Sequence, residues 1–169
     1  MSSSSRAWVL DLGAGRRVAA GGRHIVEYLL SPESVRVPLA PAHCVSLMAW
    51  RERLIPLIDL APVLHLRAAA VPGCPRAVVL AYQTAPSEPL CYGALLVRAA
   101  PFEIWVSDDV ARPLPEEPKA FRHFSCSCFD HEGRATPILD VARLFSRPLP
   151  WTAVPQDDVI GVGPDSIVS

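Results

Sequence analysis

The 169-residue chain is half hydrophobic and one fifth charged, with a formal net charge of −1. That balance excludes a disordered protein and lacks the basic excess of a nucleic-acid binder. The longest apolar runs are far too short to cross a bilayer, and the polar start Met1-Ser2-Ser3-Ser4-Ser5-Arg6 has no secretion-type apolar region, so no membrane insertion and a cytoplasmic location are expected.

Taken in chain order, residues 1–5 read as a loose tail. Ala7–Leu12 alternates as a strand, Gly13-Ala14-Gly15 turns, Arg16–Ala20 pairs back, and Gly21-Gly22 turns again. His24–Leu30 is the next strand and Val35–Pro38 a short extended piece. Ala40–His43 suits a helical turn, with Pro41 near its start. Val45–Trp50 and Leu54–Ile58 are strands joined by Arg51-Glu52-Arg53, and Leu60–Leu66 reads as a short helix. Arg67–Pro75 is a linker.

The second half repeats the plan. Ala77–Tyr82, Tyr92–Val97 and Phe102–Val106 are strands. Asp108–Lys119 is a Pro- and acid-rich loop. Phe121–Phe129 and Arg134–Leu139 form a hairpin around Asp130–Gly133, Val141–Phe145 is a second helix, and residues 151–169 form a flexible tail. Eighteen prolines against nine glycines fit many short strands rather than long helices. The five cysteines, an odd number, read as reduced thiols, mostly buried.

One phrase occurs twice in register: Pro56-Leu57-Ile58-Asp59-Leu60-Ala61 and Pro137-Ile138-Leu139-Asp140-Val141-Ala142. Each reads as a strand, a hinge Asp that accepts from the free N–H groups of the following turn, and an apolar turn of helix. Two copies imply two similar subdomains, about 6–66 and 76–146, within one domain at 6–150. The fold class is therefore mostly β: two small five-stranded antiparallel barrels side by side, each closed by a short helix and packed together to bury enough apolar surface.

Four stretches resemble the CheW-like family, the adaptors of bacterial chemotaxis-type arrays: Ile25-Val26-Glu27-Tyr28; Val37-Pro38-Leu39-Ala40-Pro41; Leu47–Arg51 leading into Ile55–Leu60; and Ile138–Phe145. The resemblance spans about Trp8 to Phe145. It implies the same two-barrel fold, no catalytic residue, no cofactor and no metal. It implies an adaptor linking the regulatory domain of a CheA-like histidine kinase to the cytoplasmic tip helix of a chemoreceptor. Glu52 stands where the family has Gly, Ala49 where it has Asn, Ser46 where a Gly precedes the turn, and Arg98 where an Asp often follows the strand. These departures suit a divergent member, such as an adaptor of a type IV pilus-type pathway.

The resemblance also implies partner-binding residues Ile25, Glu27, Arg51, Ala77 and Val78, with Glu27 and Arg51 paired across the first barrel. Partly buried, such a pair costs roughly 3–5 kcal/mol to break; solvated, it is worth under about 1 kcal/mol. Ile25 is expected on the face of Glu27, and Ala77 and Val78 along a groove that takes an amphipathic helix. A separate reading rests on His123, Cys126, Cys128 and His131, four residues of zinc-ligand type, and makes the chain a metal-binding regulator or small metalloenzyme. Against it, the cysteines lack the usual two-residue spacing, and His123 falls on the other strand face.

Overall fold

The computed structural model describes residues 3–40, 44, 46–66 and 74–146. The expected helical turn at Ala40–His43, most of the linker and the tail at 151–169 lie largely or wholly outside the described residues.

The described residues form eleven strands and two short α-helices: β1 Ser4–Gly13, β2 Arg16–Gly21, β3 Ile25–Leu30, β4 Ser34–Arg36, β5 Ser46–Trp50, β6 Arg53–Ile58, β7 Arg76–Tyr82, β8 Cys91–Val97, β9 Phe102–Ser107, α1 Phe121–Phe124, β10 Ser125–His131, β11 Arg134–Leu139 and α2 Val141–Ser146. They build two sheets, of order β10-β11-β2-β1-β9 and β3-β7-β8-β6-β5-β4. The fold is mostly β in two sheets, as expected. One sheet has six strands rather than five, because Ser34–Arg36 adds a short edge strand to β5.

The sheets do not follow the division at the linker. One uses the two ends of the described chain, and the other takes the middle, β3 to β8. The cause is β7. It is buried on both faces, with Ala77, Val78, Val79 and Leu80 all at 0% exposure. Such a strand belongs inside a sheet rather than at its edge, and it pairs with β3 on one side and β8 on the other.

The repeated phrase is the architectural joint of both sheets. Among the described residues all strand pairings are antiparallel except two, and these involve the two repeat strands: β6 pairs parallel with β8 through Leu57↔Ala94 and Ile58↔Leu95, and β11 with β2 through Ile138↔Ala19. Each repeat Asp does what its position implied. Asp59 Oδ1 accepts from Ala61 N at 2.9 Å, and Asp140 Oδ1 from Arg143 N at 3.0 Å. Only the second is followed by a helix. After Asp59 the chain makes successive turns, bonded Leu64 N to Leu60 O and Leu66 N to Ala61 O, instead of the helix expected over Leu60–Leu66. His65 sits at φ 52°, outside the right-handed region, and stops the turns from continuing as a helix.

Two further local expectations change. Ser4 and Ser5 are strand rather than tail, paired with Ser107 and Val106 of β9. Phe121–Phe124 is a helical turn rather than strand, because both Phe121 and Phe124 drop completely into the main core. That core lies between the sheets and joins Leu10, Leu12 and Val18 to Val78, Leu80, Leu95, Leu139 and Leu144. A second, smaller core of Met48, Trp50, Ile55, Leu57, Ala77, Val79 and Ala94 fills the other face of the six-stranded sheet. α2 closes the main core: Phe145 stacks on Tyr82 at 5.3 Å and lies where a side chain on Gly93 would be.

Candidate functional site

The site grows from the tightest turn of the six-stranded sheet. Arg51 and Glu52 alone join β5 to β6, flanked by the pair Trp50↔Arg53, and both sit at positive φ, 44° and 61°. Such two-residue turns match the twist of paired strands but favour Gly and Asn. The family's Gly at position 52 fits this geometry; Glu52 adopts it at a steric cost.

The turn lifts Arg51 over its neighbours. Its guanidinium lies 4.7 Å from the Trp50 ring centre, and its Nη2 meets Glu27 Oε2 at 3.0 Å. The same carboxylate oxygen accepts from Trp50 Nε1 at 2.9 Å. β3 and β5 are separated in the sheet by β7, β8 and β6, so these bonds cross the mouth of a curled sheet. Tyr92 packs against Trp50 at 4.9 Å, and Arg53 lies over Tyr92 at 5.6 Å. The result is a ladder of Arg51, Trp50, Tyr92 and Arg53, anchored by Glu27. The expected Glu27–Arg51 pair is present in the structure. It is also open to water, with the side chains 35% and 66% exposed, so the weaker of the two energetic expectations applies.

Trp50 is the member that the sequence placed only at the end of the Val45–Trp50 strand. It is 7% exposed yet spends its N–H on Glu27. Its place directly before Arg51, with strand alternation sending it inward, was the available signal; Tyr92 and Arg53 had none.

The other expected partner residues are placed differently. Ile25 does not share a face with Glu27. Ile25 pairs with Leu80 and Glu27 with the next residue, Val79, so a bulge inserts one residue and reverses the alternation. Ile25 therefore packs on the core between the sheets, whereas Val26 packs on the smaller one. Ala77 and Val78 point to opposite faces of β7, one into each core, and neither presents any surface.

The His/Cys hairpin does not assemble. His123 belongs to α1, Cys126 is exposed, Cys128 is 2% exposed, and His131 turns to Glu132 at 3.9 Å. A register shift between Ser125 and Ser127 breaks the expected sharing of one face by Cys126 and Cys128. Desolvation, partial at Cys126 and fuller at Cys128, pushes both thiols up, Asp140 adding to this at Cys126. A raised thiol is a poorer ligand, because metals bind the thiolate. Among the described residues no group of three or more His, Cys, Asp or Glu is placed to hold a metal.

Arg98, the departure at the end of β8, has an explanation in the structure. It pairs with Asp59 at 3.1 Å, its N–H bonds Asp11 O at 2.8 Å, and its side chain covers Gly13. It ties the end of β8 to β1 and to the first repeat Asp.

Two β-sheets around a main core, with a carboxylate–indole–guanidinium cluster at an exposed turn, define a mostly-β domain that presents oriented polar groups at its surface. The sequence matches the CheW-like domain over residues 9–149, and the chain belongs to that family. No curated protein matches the sequence. The fold is similar to the crystal structure of the scaffolding protein TtCheW from Thermoanaerobacter tengcongensis, with a TM-score of 0.68 at 16% identity, covering 86% of this chain and 94% of that one. Among the described residues no helix is long and apolar enough to cross a membrane.

Proposed function

We propose that this chain is a non-catalytic, cytoplasmic adaptor that couples a chemoreceptor to a CheA-like histidine kinase in chemotaxis-type signalling. The observation that carries the reading is the Glu27–Trp50–Arg51 cluster, formed within a family match over most of the chain. An adaptor needs a rigid platform with a few oriented groups rather than a reactive centre. Glu27 fixes the direction of Arg51, and the buried indole beneath keeps the turn from collapsing onto the sheet.

In this reading Glu27 and Arg51 contact the partners, and Ile25, Ala77 and Val78 hold the sheet that carries them in shape from within the two cores. No observation favours the metal-dependent alternative. A pilus-type pathway is a narrower version of the same reading, decided by which kinase the chain retains.

The test is direct binding of the purified chain to the regulatory domain of a CheA-like kinase and to a receptor-tip helix peptide from the same cell. Wild type binds both. Glu27→Arg, checked for folding by circular dichroism, weakens at least one by about tenfold or more through like-charge repulsion with Arg51. Wild type that binds neither, or a variant that binds both unchanged, refutes the proposal.

A further inference from the structure

A cleft of about 470 Å³, with no residue of the Glu27 cluster in its lining, opens between the β1–β2 turn, the start of β11 and the loop before α1. Ala14, Gly15, Pro115, Phe121 and Ala135 shape it, and Arg16, Arg17 and Arg134 line it; no carboxylate does. On a chain of net charge −1, three guanidinium groups around one concavity form a local excess.

The three arginines are not equally engaged. Arg17 is held by Glu132 at 3.0 Å and lies over Phe102. Arg134 makes only a long contact, 3.5 Å, to Gly15 O. Arg16 is exposed and has no hydrogen-bond or ion-pair partner among the described residues. Two forks of donors therefore remain unspent beside a floor fixed by the fully buried Phe121. The turn beneath is fixed as well: Gly13, Ala14 and Gly15 all hold positive φ, and Asp11 Oδ1 clamps Gly13 N at 2.7 Å.

We infer that this cleft is an oxyanion site for a phosphate group, bound between Arg16 and Arg134. The chemistry favours phosphate over carboxylate. A carboxylate is satisfied by one guanidinium fork, whereas a phosphate dianion has three acceptor oxygens and twice the charge, and so rewards two forks converging from different strands. The same group arrives either as free phosphate or on a phosphorylated side chain of a partner.

The experiment titrates the full chain, at constant ionic strength, with inorganic pyrophosphate and, in a second arm, with a phosphoserine peptide and its unphosphorylated twin, following backbone amides by NMR. Shifts centred on Ala14, Gly15 and Arg16 are expected. Arg16→Ala combined with Arg134→Ala weakens binding about tenfold or more, while Arg122→Ala, an exposed arginine outside the cleft, leaves it unchanged. Both substituted side chains are exposed, and unchanged amide dispersion confirms that the fold survives. Saturation by pyrophosphate identifies a soluble ligand. Saturation by the phosphopeptide alone identifies a phosphorylated partner. Absence of binding in both arms, equal binding by the double variant, or shifts spread over the whole surface overturns the proposal.

Discussion

Glu27 and Trp50 are joined by a 2.9 Å hydrogen bond although three strands lie between theirs in the sheet. The bond closes the curl of the six-stranded sheet, and the indole that donates it is 7% exposed. Arg51 shares the same oxygen from a position 66% exposed. The two partners of Glu27 should therefore differ in energetic weight. Glu27→Ala is expected to cost about 1–3 kcal/mol, chiefly by leaving a buried N–H without its charged acceptor. Arg51→Ala should cost under about 1 kcal/mol. Urea midpoints of the two variants check the order, and a larger loss at Arg51 would contradict it.

Glu52 occupies φ 61° immediately after Arg51 at φ 44°. Left-handed backbone costs a non-glycine residue roughly 1 kcal/mol. Glu52→Gly is therefore expected to raise the midpoint of unfolding, by up to about 1 kcal/mol, with the extra freedom of Gly in the unfolded chain offsetting part of the gain. A lowered melting temperature would show that Glu52 makes a compensating contact.

How much of this was legible in the sequence depends on how local its causes are. The repeat at Asp59 and Asp140 was readable because capping is decided within three residues, and the structure returns both caps. β7 and β8 were readable as apolar runs. The pairing of Glu27 with Arg51 came from family resemblance, since nothing in periodicity links residues in β3 and β5. What stayed hidden is a one-residue event. The bulge between Ile25 and Glu27 reverses every face assignment before it, and no residue type there announces it. The helical turn at Phe121 was hidden for a different reason: a stretch of aromatics and cysteines reads as strand, and burial of two phenylalanines overrides that preference.

Gly93 lies under the ring of Phe145. A Cβ there would overlap three atoms of that ring. Gly93→Ala should displace α2 or the ring and cost about 1–3 kcal/mol. The double variant Gly93→Ala with Phe145→Leu should lose less than the sum of its two single changes, because the smaller side chain relieves the overlap. Additive losses in thermal unfolding would place the strain elsewhere.

Cys128 supplies a pH dependence with a definite sign. Burial pushes its thiol above the ordinary value of 9.0, Asp130 adds to this, and Arg112 with backbone hydrogen bonds at Thr136 and Phe129 pulls partly back. Below the ordinary value the thiol is protonated in both states, and the folded state keeps its full advantage. As pH rises past that value the unfolded chain ionises first, so stability falls until the folded thiol also titrates. Urea midpoints between about pH 8 and pH 10 should therefore decline less steeply in Cys128→Ala than in wild type. Parallel slopes would mean the thiol does not contribute.

Asp59 does two tasks with two oxygens: Oδ1 caps Ala61 N, and Oδ2 holds Arg98, with both side chains about one quarter exposed. Asp59→Ala removes both and leaves Arg98 partly buried without its charge partner, so a loss of about 1.5–3 kcal/mol is expected. Arg98→Ala removes only the pair. Asp59 keeps its cap and part of its contact with water, so the loss should be smaller, at about 1 kcal/mol, even though a longer side chain is deleted. At the second repeat, Asp140 also caps, and its pair with Arg143 at 3.4 Å lies within the same short helix rather than between strands. Asp140→Ala should therefore resemble the loss of a cap alone, near 1 kcal/mol. Chemical denaturation of the three variants at pH 7 tests the order Asp59→Ala above Arg98→Ala. If Arg98→Ala proves the more damaging, the contact of its stem with Gly13, rather than its charge, holds β8 to β1.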